Sequence, residues 1–290
     1  MSDFTPQLPG GTWTLGDKTI SRFGYGAMQL AGPGVMGPPR DRDEAVALLR
    51  AAVDLGITHI DTAETYGPRV VNELIREALH PYAGDLLIAT KVGGRRDAEG
   101  GWPTARTPDE LRSQVDDNLA LLGVDALDLV HLRLGDANGP VPEDIEDAFT
   151  TLVDLQSQGI IRSLGVSNAT AEQVVQAQSI APIVSVQNMY NLANRWDDEL
   201  VDRLAIEGVA YVPFFPLGGF TPLQSDALSA VAARLDSTPM SVALAWLLRR
   251  SPNILLIPGT SSSAHLLENI AGAGLALSDE DMRELSSIAS

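Results

Sequence analysis

GITHIDTAETYG, residues 56–67, compresses a helix stop, a buried strand and a polar loop into one short run. Gly56 closes a periodic pattern in which Ala45, Leu48, Leu49, Ala52 and Val53 mark one helical face. Asp41 and Glu44 stand at its start with the spacing of a capping box. Residues 57–60 then read as a short buried strand, and Asp61 ends it at the head of the loop DTAETYG. Alternation of helix and buried strand is the unit from which parallel α/β folds are built.

The unit repeats outward from there. Residues 22–27 form the first strand, a helix covers 70–79, and 86–92 reads as a buried strand. Thr107, Pro108 and Glu110 open the next helix with a cap, a first-turn proline and a box glutamate, and it stops near Gly123. Strands follow at 127–132, 161–166, 183–187, 209–215 and 254–257. Helices lie between them at 145–158, after Thr170, near 197–206 and within 222–250, and two more start near Ser263 and after Ser278. Eight strands interleaved with helices, without a long polar linker, predict one (β/α)8 TIM barrel domain over residues 1–290. An open doubly wound sheet is the alternative. Residues 13–20, centred on Gly16 and Asp17, predict a β-hairpin ahead of the barrel, within a lead-in covering 1–21.

Composition narrows the function. The 290 residues carry a formal net charge of −18, which argues against a broad basic face for nucleic acid or anionic membrane. No apolar run approaches the roughly 20 residues needed to span a bilayer, and the N-terminus lacks a basic start followed by an apolar stretch. With no cysteine there is no disulfide and no Cys-ligated zinc, and no metal site is expected. These features predict a cytoplasmic protein acting on a small molecule. Lys18 and Lys91 are the only lysines among the 20 basic residues, and only an ammonium can be tuned by burial.

Polar residues collect at the strand ends: Asp61, Lys91, His131, Ser167 with Asn168, Gln187 with Asn188, and Pro258-Gly259-Thr260. In a barrel these converge on one mouth, where active sites form. Singly, each has a plainer reading: Tyr66 as a rim aromatic, Lys91 snorkelling from its strand, His131 as a core histidine, Asp61 as a turn cap. Together they make chemistry. A free phenol, with a pKa near 10, is a poor acid at neutral pH unless an ammonium favours its ionised form. Asp61 would hold Lys91 charged, Lys91 would act on Tyr66, and His131 would donate to a carbonyl oxygen beside the Tyr66 hydroxyl.

At this point the sequence resembles the aldo-keto reductase family. IDTAETYG at 60–67 is similar to its catalytic loop, ATK at 89–91 to its lysine strand and DLVHL at 128–132 to its histidine strand. GVSN at 165–168, VQNMYN at 186–191, VPFFPLG at 212–218 and IPGTSSSAHLLEN at 257–269 resemble its cofactor segments, in family order. The resemblance implies NADPH-dependent reduction of a carbonyl by a tetrad of Asp61, Tyr66, Lys91 and His131. It implies that Ser167, Asn168 and Gln187 hold the nicotinamide carboxamide. Phe214 stands where tyrosine is usual against the nicotinamide and Phe215 where serine is common, while Leu217 and Gly218 approach the pyrophosphate. Pro258, Gly259, Thr260, Ser261, His265, Glu268 and Asn269 would surround the adenosine and its 2′-phosphate, although many relatives carry a basic residue at the Gly259 and His265 positions. The segment GYGAMQLAGPGVMGPPRDRDEA, from residue 24, is similar to a bacterial subgroup that includes pyridoxal reductases. Pyridoxal is therefore the expected substrate, with Met28, Trp196 and Phe220 as substrate contacts. A redox-sensing nucleotide-binding module and a Schiff-base aldolase using Lys91 are the competing functions.

Overall fold

The computed structural model describes residues 8–136, 139–218 and 225–288. β1 (Thr12–Leu15) and β2 (Lys18–Ser21) pair antiparallel across Gly16-Asp17, as the hairpin pattern predicts. β3 (Tyr25–Gly26), β4 (His59–Asp61), β5 (Leu87–Val92), β6 (Leu127–Arg133), β7 (Ile161–Ser167), β8 (Ser185–Gln187) and β9 (Ala210–Tyr211) then form a parallel sheet in chain order. Residues 254–259 close it: Ile254 bridges to Tyr211 on one side, while Leu256 and Gly259 bridge to Phe23 and Gly26 on the other. The predicted eighth strand thus closes the barrel through single bridges instead of a ladder. The backbones approach closely here, because a Cβ on Gly26 would stand 2.4 Å from the carbonyl oxygen of Ile257.

Arg22 fastens the same seam. Its buried guanidinium donates to the carbonyls of Ile254, Leu248 and Ser251 at 3.0, 2.9 and 2.7 Å, and to that of Gly10 at 3.1 Å. Four acceptors compensate the loss of water around a buried cation.

The helices cover the outside: α1 (Arg42–Asp54), α2 (Val70–Leu79), α3 (Pro108–Leu122), α4 (Glu146–Ser157), α5 (Ala171–Ile180), α6 (Asp198–Glu207), α7 (Asp226–Arg234), α8 (Pro239–Arg250), α9 (Ser263–Ala273) and α10 (Asp279–Ser286). Thr107 and Glu110 make the full capping box expected of α3. At α1 only half of the expected box forms, with Asp41 accepting from the Glu44 amide at 3.0 Å. The strand expected at 209–215 is cut to Ala210–Tyr211, with Phe214 reduced to a bridge with Met189. Pro213 has no N–H for a ladder, and Phe215 turns the chain with a φ of 53°. The helices expected within 222–250 are α7 and α8, and Pro222 lies outside the described residues.

Strand alternation separates two layers of core. Ile88, Val92, Val130 and Leu132 face the helices. Leu87, Ala89 and Leu129 face the axis, where they pack with Ala210, Val212, Leu255, and Leu15 and Ile20 from the hairpin. The hairpin therefore plugs the lower end of the barrel. Successive inward residues continue up each strand, from His59 to Asp61, from Ala89 to Lys91, and from Leu129 through His131 to Arg133.

Candidate active site

The upper end holds a cavity of about 670 Å³. Asp61, Tyr66, Lys91, Arg133, Gln187 and Phe214 all line it. Lys91 bonds Asp61 at 2.5 Å and the Thr62 carbonyl at 3.0 Å, and both side chains of the pair are buried. The second Asp61 oxygen accepts from the Gln187 amide at 2.7 Å. Lys91 Nζ stands 5.2 Å from the centre of the Tyr66 ring. Burial alone would depress the ammonium, but Asp61 and Tyr66 outweigh it and lift Lys91 above its ordinary range. The structure thus brings three of the four predicted tetrad residues together as a charged floor under a phenol.

A buried polar network sets the position of this floor. Thr62 donates to Asn72 at 2.8 Å, and Asn72 and Thr90 both donate to the Asn118 side-chain oxygen, at 2.9 and 2.6 Å. The strand end carrying Asp61 and the strand carrying Lys91 are thereby tied to α2 and α3.

His131 takes a different place. It is fully buried, does not line the cavity, and its Nε2 meets the Ser185 hydroxyl at 2.9 Å. It lies across Gly165, where a Cβ would come within 2.7 Å of its ring. Burial pushes its pKa down to about 3, Asp61 opposing and Lys91 and His59 assisting, so it is neutral at any ordinary pH. The inward residue that reaches the cavity from β6 is Arg133, two positions on. Burial lowers its pKa from the ordinary value, while Tyr66 across the cavity raises it. Its guanidinium carbon lies 5.7 Å from the centre of the Phe214 ring. The sequence signal was the length of β6: ending that strand at 132 places the mouth at His131, whereas it runs through Arg133.

The residues expected at the carboxamide are gathered at adjacent strand ends, with Ser167 in register with Gln187. The Ser167 hydroxyl and the Gln187 Oε1 are buried with no partner among the described residues. An acceptor and a hydroxyl left open in this way fit a primary amide. Asn168 also lines the cavity, but its amide group donates to the carbonyls of Leu134 and Asp136, at 2.9 and 3.2 Å, and so holds the loop after β6. Phe214 and Phe215 meet edge to face with centroids 5.4 Å apart. They line the cavity together with Leu217, Pro258 and Gly259. Gly218 does not line it, and forms a turn back to the Phe215 carbonyl at 3.0 Å.

Farther along, Thr260 and Ser262 form the entry to α9, with the Ser262 amide bonding the Thr260 hydroxyl at 3.0 Å. Ser262 caps that helix by accepting from the His265 amide. Ser261, His265 and Glu268 are exposed and Asn269 is buried against α9's inner side. None of these four lines the main cavity, although Ser261 borders a neighbouring depression with Arg40. Met28 and Trp196 do line the main cavity, Trp196 with 86% of its surface exposed. Phe220 lies outside the described residues. Trp102 and Arg106, in the long segment after β5, complete the wall and were not singled out from sequence. No periodicity marks that segment.

Residues 22–290 match the Aldo/keto reductase family. The chain is 58% identical over 283 residues to pyridoxine 4-dehydrogenase of Escherichia coli, covering 97% of this chain and 99% of that one. It is similar in structure to a thermostable aldo-keto reductase solved with the inhibitor epalrestat, at 31% identity and a TM-score of 0.81, covering 96% of this chain and 99% of the other. An aldo-keto reductase from Klebsiella pneumoniae solved with NADPH superposes with a TM-score of 0.77 at 25% identity, covering 95% of this chain and 94% of the other.

Proposed function

The chain belongs to the aldo/keto reductase family, and from that premise we propose that it is a cytoplasmic, single-barrel enzyme that reduces an aldehyde to an alcohol with NADPH. Pyridoxal, giving pyridoxine, is the substrate proposed, in keeping with the name of the E. coli relative. The observation that carries this reading is the meeting of Tyr66 with a buried Asp61–Lys91 pair on the wall of a cavity whose open acceptor and hydroxyl suit a nicotinamide carboxamide. No helix among the described residues is long and apolar enough to cross a membrane.

NADPH, when bound, supplies the hydride that adds to the carbonyl carbon. Ser167 and Gln187 would hold its carboxamide, and Phe214 would present a ring face in place of a phenol. The Tyr66 hydroxyl gives its proton to the carbonyl oxygen as charge develops there. Lys91 stabilises the phenolate left behind, and Asp61 with Gln187 holds Lys91 in place and charged. The hydroxyls of Thr260 and Ser261, the His265 imidazole and the first amides of α9 would hold the 2′-phosphate. A Schiff-base role for Lys91 does not suit this geometry, because its ammonium is held by Asp61 and the Thr62 carbonyl, whereas a nucleophilic lysine must present a free neutral amine.

Steady-state oxidation of NADPH and NADH with pyridoxal, benzaldehyde and simple ketones tests the reading. Pyridoxal with NADPH should give the highest kcat/KM. Binding without turnover of any carbonyl would leave only the nucleotide-sensing role, and equal rates with benzaldehyde would remove the claim to pyridoxal.

A further inference from the structure

Lys91, Arg106 and Arg133 all line the cavity, and two of them are spent. Lys91 is paired with Asp61. Arg106 is paired with Glu143 at 2.9 Å and donates also to the carbonyls of Arg133 and Gly135, at 3.2 and 3.3 Å. The Arg133 guanidinium makes no hydrogen bond and no ion pair with any described residue, and it packs against Phe214. A permanently charged, partly buried fork with no acceptor of its own is costly unless a ligand supplies one. It faces Tyr66, the proposed proton donor, in a cavity lined also by Met28, Val35, Trp102 and Phe214, with the Asp136 carboxylate near enough to favour its charge.

Resting on the carbonyl-reductase reading, we propose that Arg133 holds the carbonyl oxygen of the substrate together with an ionised oxygen beside it, so that the site selects aldehydes flanked by an ortho phenolate. A planar guanidinium offers two parallel donors at the spacing of two neighbouring oxygens. Pyridoxal has this pair, its aldehyde lying next to a ring hydroxyl that ionises readily beside the protonated pyridinium. In the bound state one N–H of Arg133 meets the aldehyde oxygen, the other meets the phenolate, and Tyr66 approaches the remaining lone pair of the aldehyde oxygen. The arginine thereby takes the electrophilic position that sequence assigns to His131, which is sealed beneath it against Ser185. Its charge cannot be lost by deprotonation, and it reads a second atom that a neutral imidazole could not.

The test compares pyridoxal, 2-hydroxybenzaldehyde, its 2-methoxy analogue, 4-hydroxybenzaldehyde and benzaldehyde, in the wild type and in Arg133→Met and Arg133→Lys, with NADPH. Hydrogen bonds to charged groups predict a preference for the two ortho-hydroxy aldehydes on the order of 10–100-fold in kcat/KM over the methoxy and para compounds. The ratio of hydroxy to methoxy substrate cancels titration of the free enzyme, and it should rise with pH through the ionisation of the substrate phenol itself. Arg133→Met should erase the ratio and flatten its pH dependence, and Arg133→Lys should restore part of both. Unchanged NADPH binding, followed by fluorescence, shows that the variants are folded. A wild type without ortho preference, or an Arg133→Met enzyme that keeps it, overturns the proposal and leaves the reductase standing. Failure of the wild type to oxidise NADPH with any of the five overturns the reductase reading itself.

Discussion

The two ends of the barrel interior are built by the same strands and have opposite chemistry. At the lower end, Leu15 and Ile20 of the hairpin meet Leu87, Ala89, Leu129 and Leu255 in a layer without a charge. Below the mouth on β4 and β6 the inward residues are His59 and His131, both buried and with pKa values pushed down to about 4 and about 3. At the mouth they are Asp61, Lys91, Arg133 and Gln187. The contrast teaches that the lower layers carry stability and the upper layer carries function, because a buried ion pair adds little to stability even when its loss is severe.

The largest effect that would break this division is at the mouth. Tyr66→Phe should retain NADPH binding and lose about 10²–10⁴-fold in turnover, with the thermal midpoint almost unmoved. Near-normal activity would remove Tyr66 from the mechanism. The floor should behave in the opposite way. Leu129→Ala empties a fully buried axial site and should cost roughly 2–5 kcal/mol by urea unfolding, with kcat per folded molecule close to wild type. A large kcat loss there at low temperature would mean that the layers are not independent.

The middle layer sharpens the comparison by the smallest amount. Both histidines titrate near 6.5 when unfolded and far lower when folded, so between about pH 6.5 and about pH 4 the unfolded chain binds protons that the native one does not. Stability is fully present above pH 6.5 and falls as the pH drops, approaching about 1.4 kcal/mol per pH unit for each histidine. Urea midpoints at pH 7 and pH 5 measure it; a flat response across that window would contradict the burial of both rings.

Much of this was legible in the sequence, and the errors have physical causes. Alternation gave the barrel because periods of 3.6 and 2 are imposed locally, and the hairpin followed from Gly16-Asp17 between alternating residues. The grouping of Asp61, Tyr66 and Lys91 was legible because strand ends share one mouth. His131 was misplaced relative to the mouth by a strand boundary one residue short, and in a β-strand two residues are a whole layer, about 6.6 Å. The wall contributed by Trp102 and Arg106 comes from a long irregular segment whose path depends on tertiary contacts, such as Arg96 lying 3.9 Å from the Trp102 ring. Likewise, nothing in the spacing of Asn168 foretells that its amide is taken by the loop after β6.

The seam held by Arg22 also sets a timetable for the newborn chain. Three of the four acceptors of its guanidinium lie 226–232 residues farther along, and the hairpin cannot complete its packing before Leu255 has been made. Until residues 254–259 are made, β3 has a parallel partner in β4 on one side only, with a cation near it that the Gly10 carbonyl and water must satisfy. Contacts of such long sequence separation form slowly. The ring cannot close before that segment has been made, and until then the growing barrel exposes the kind of edge that invites pairing with another chain.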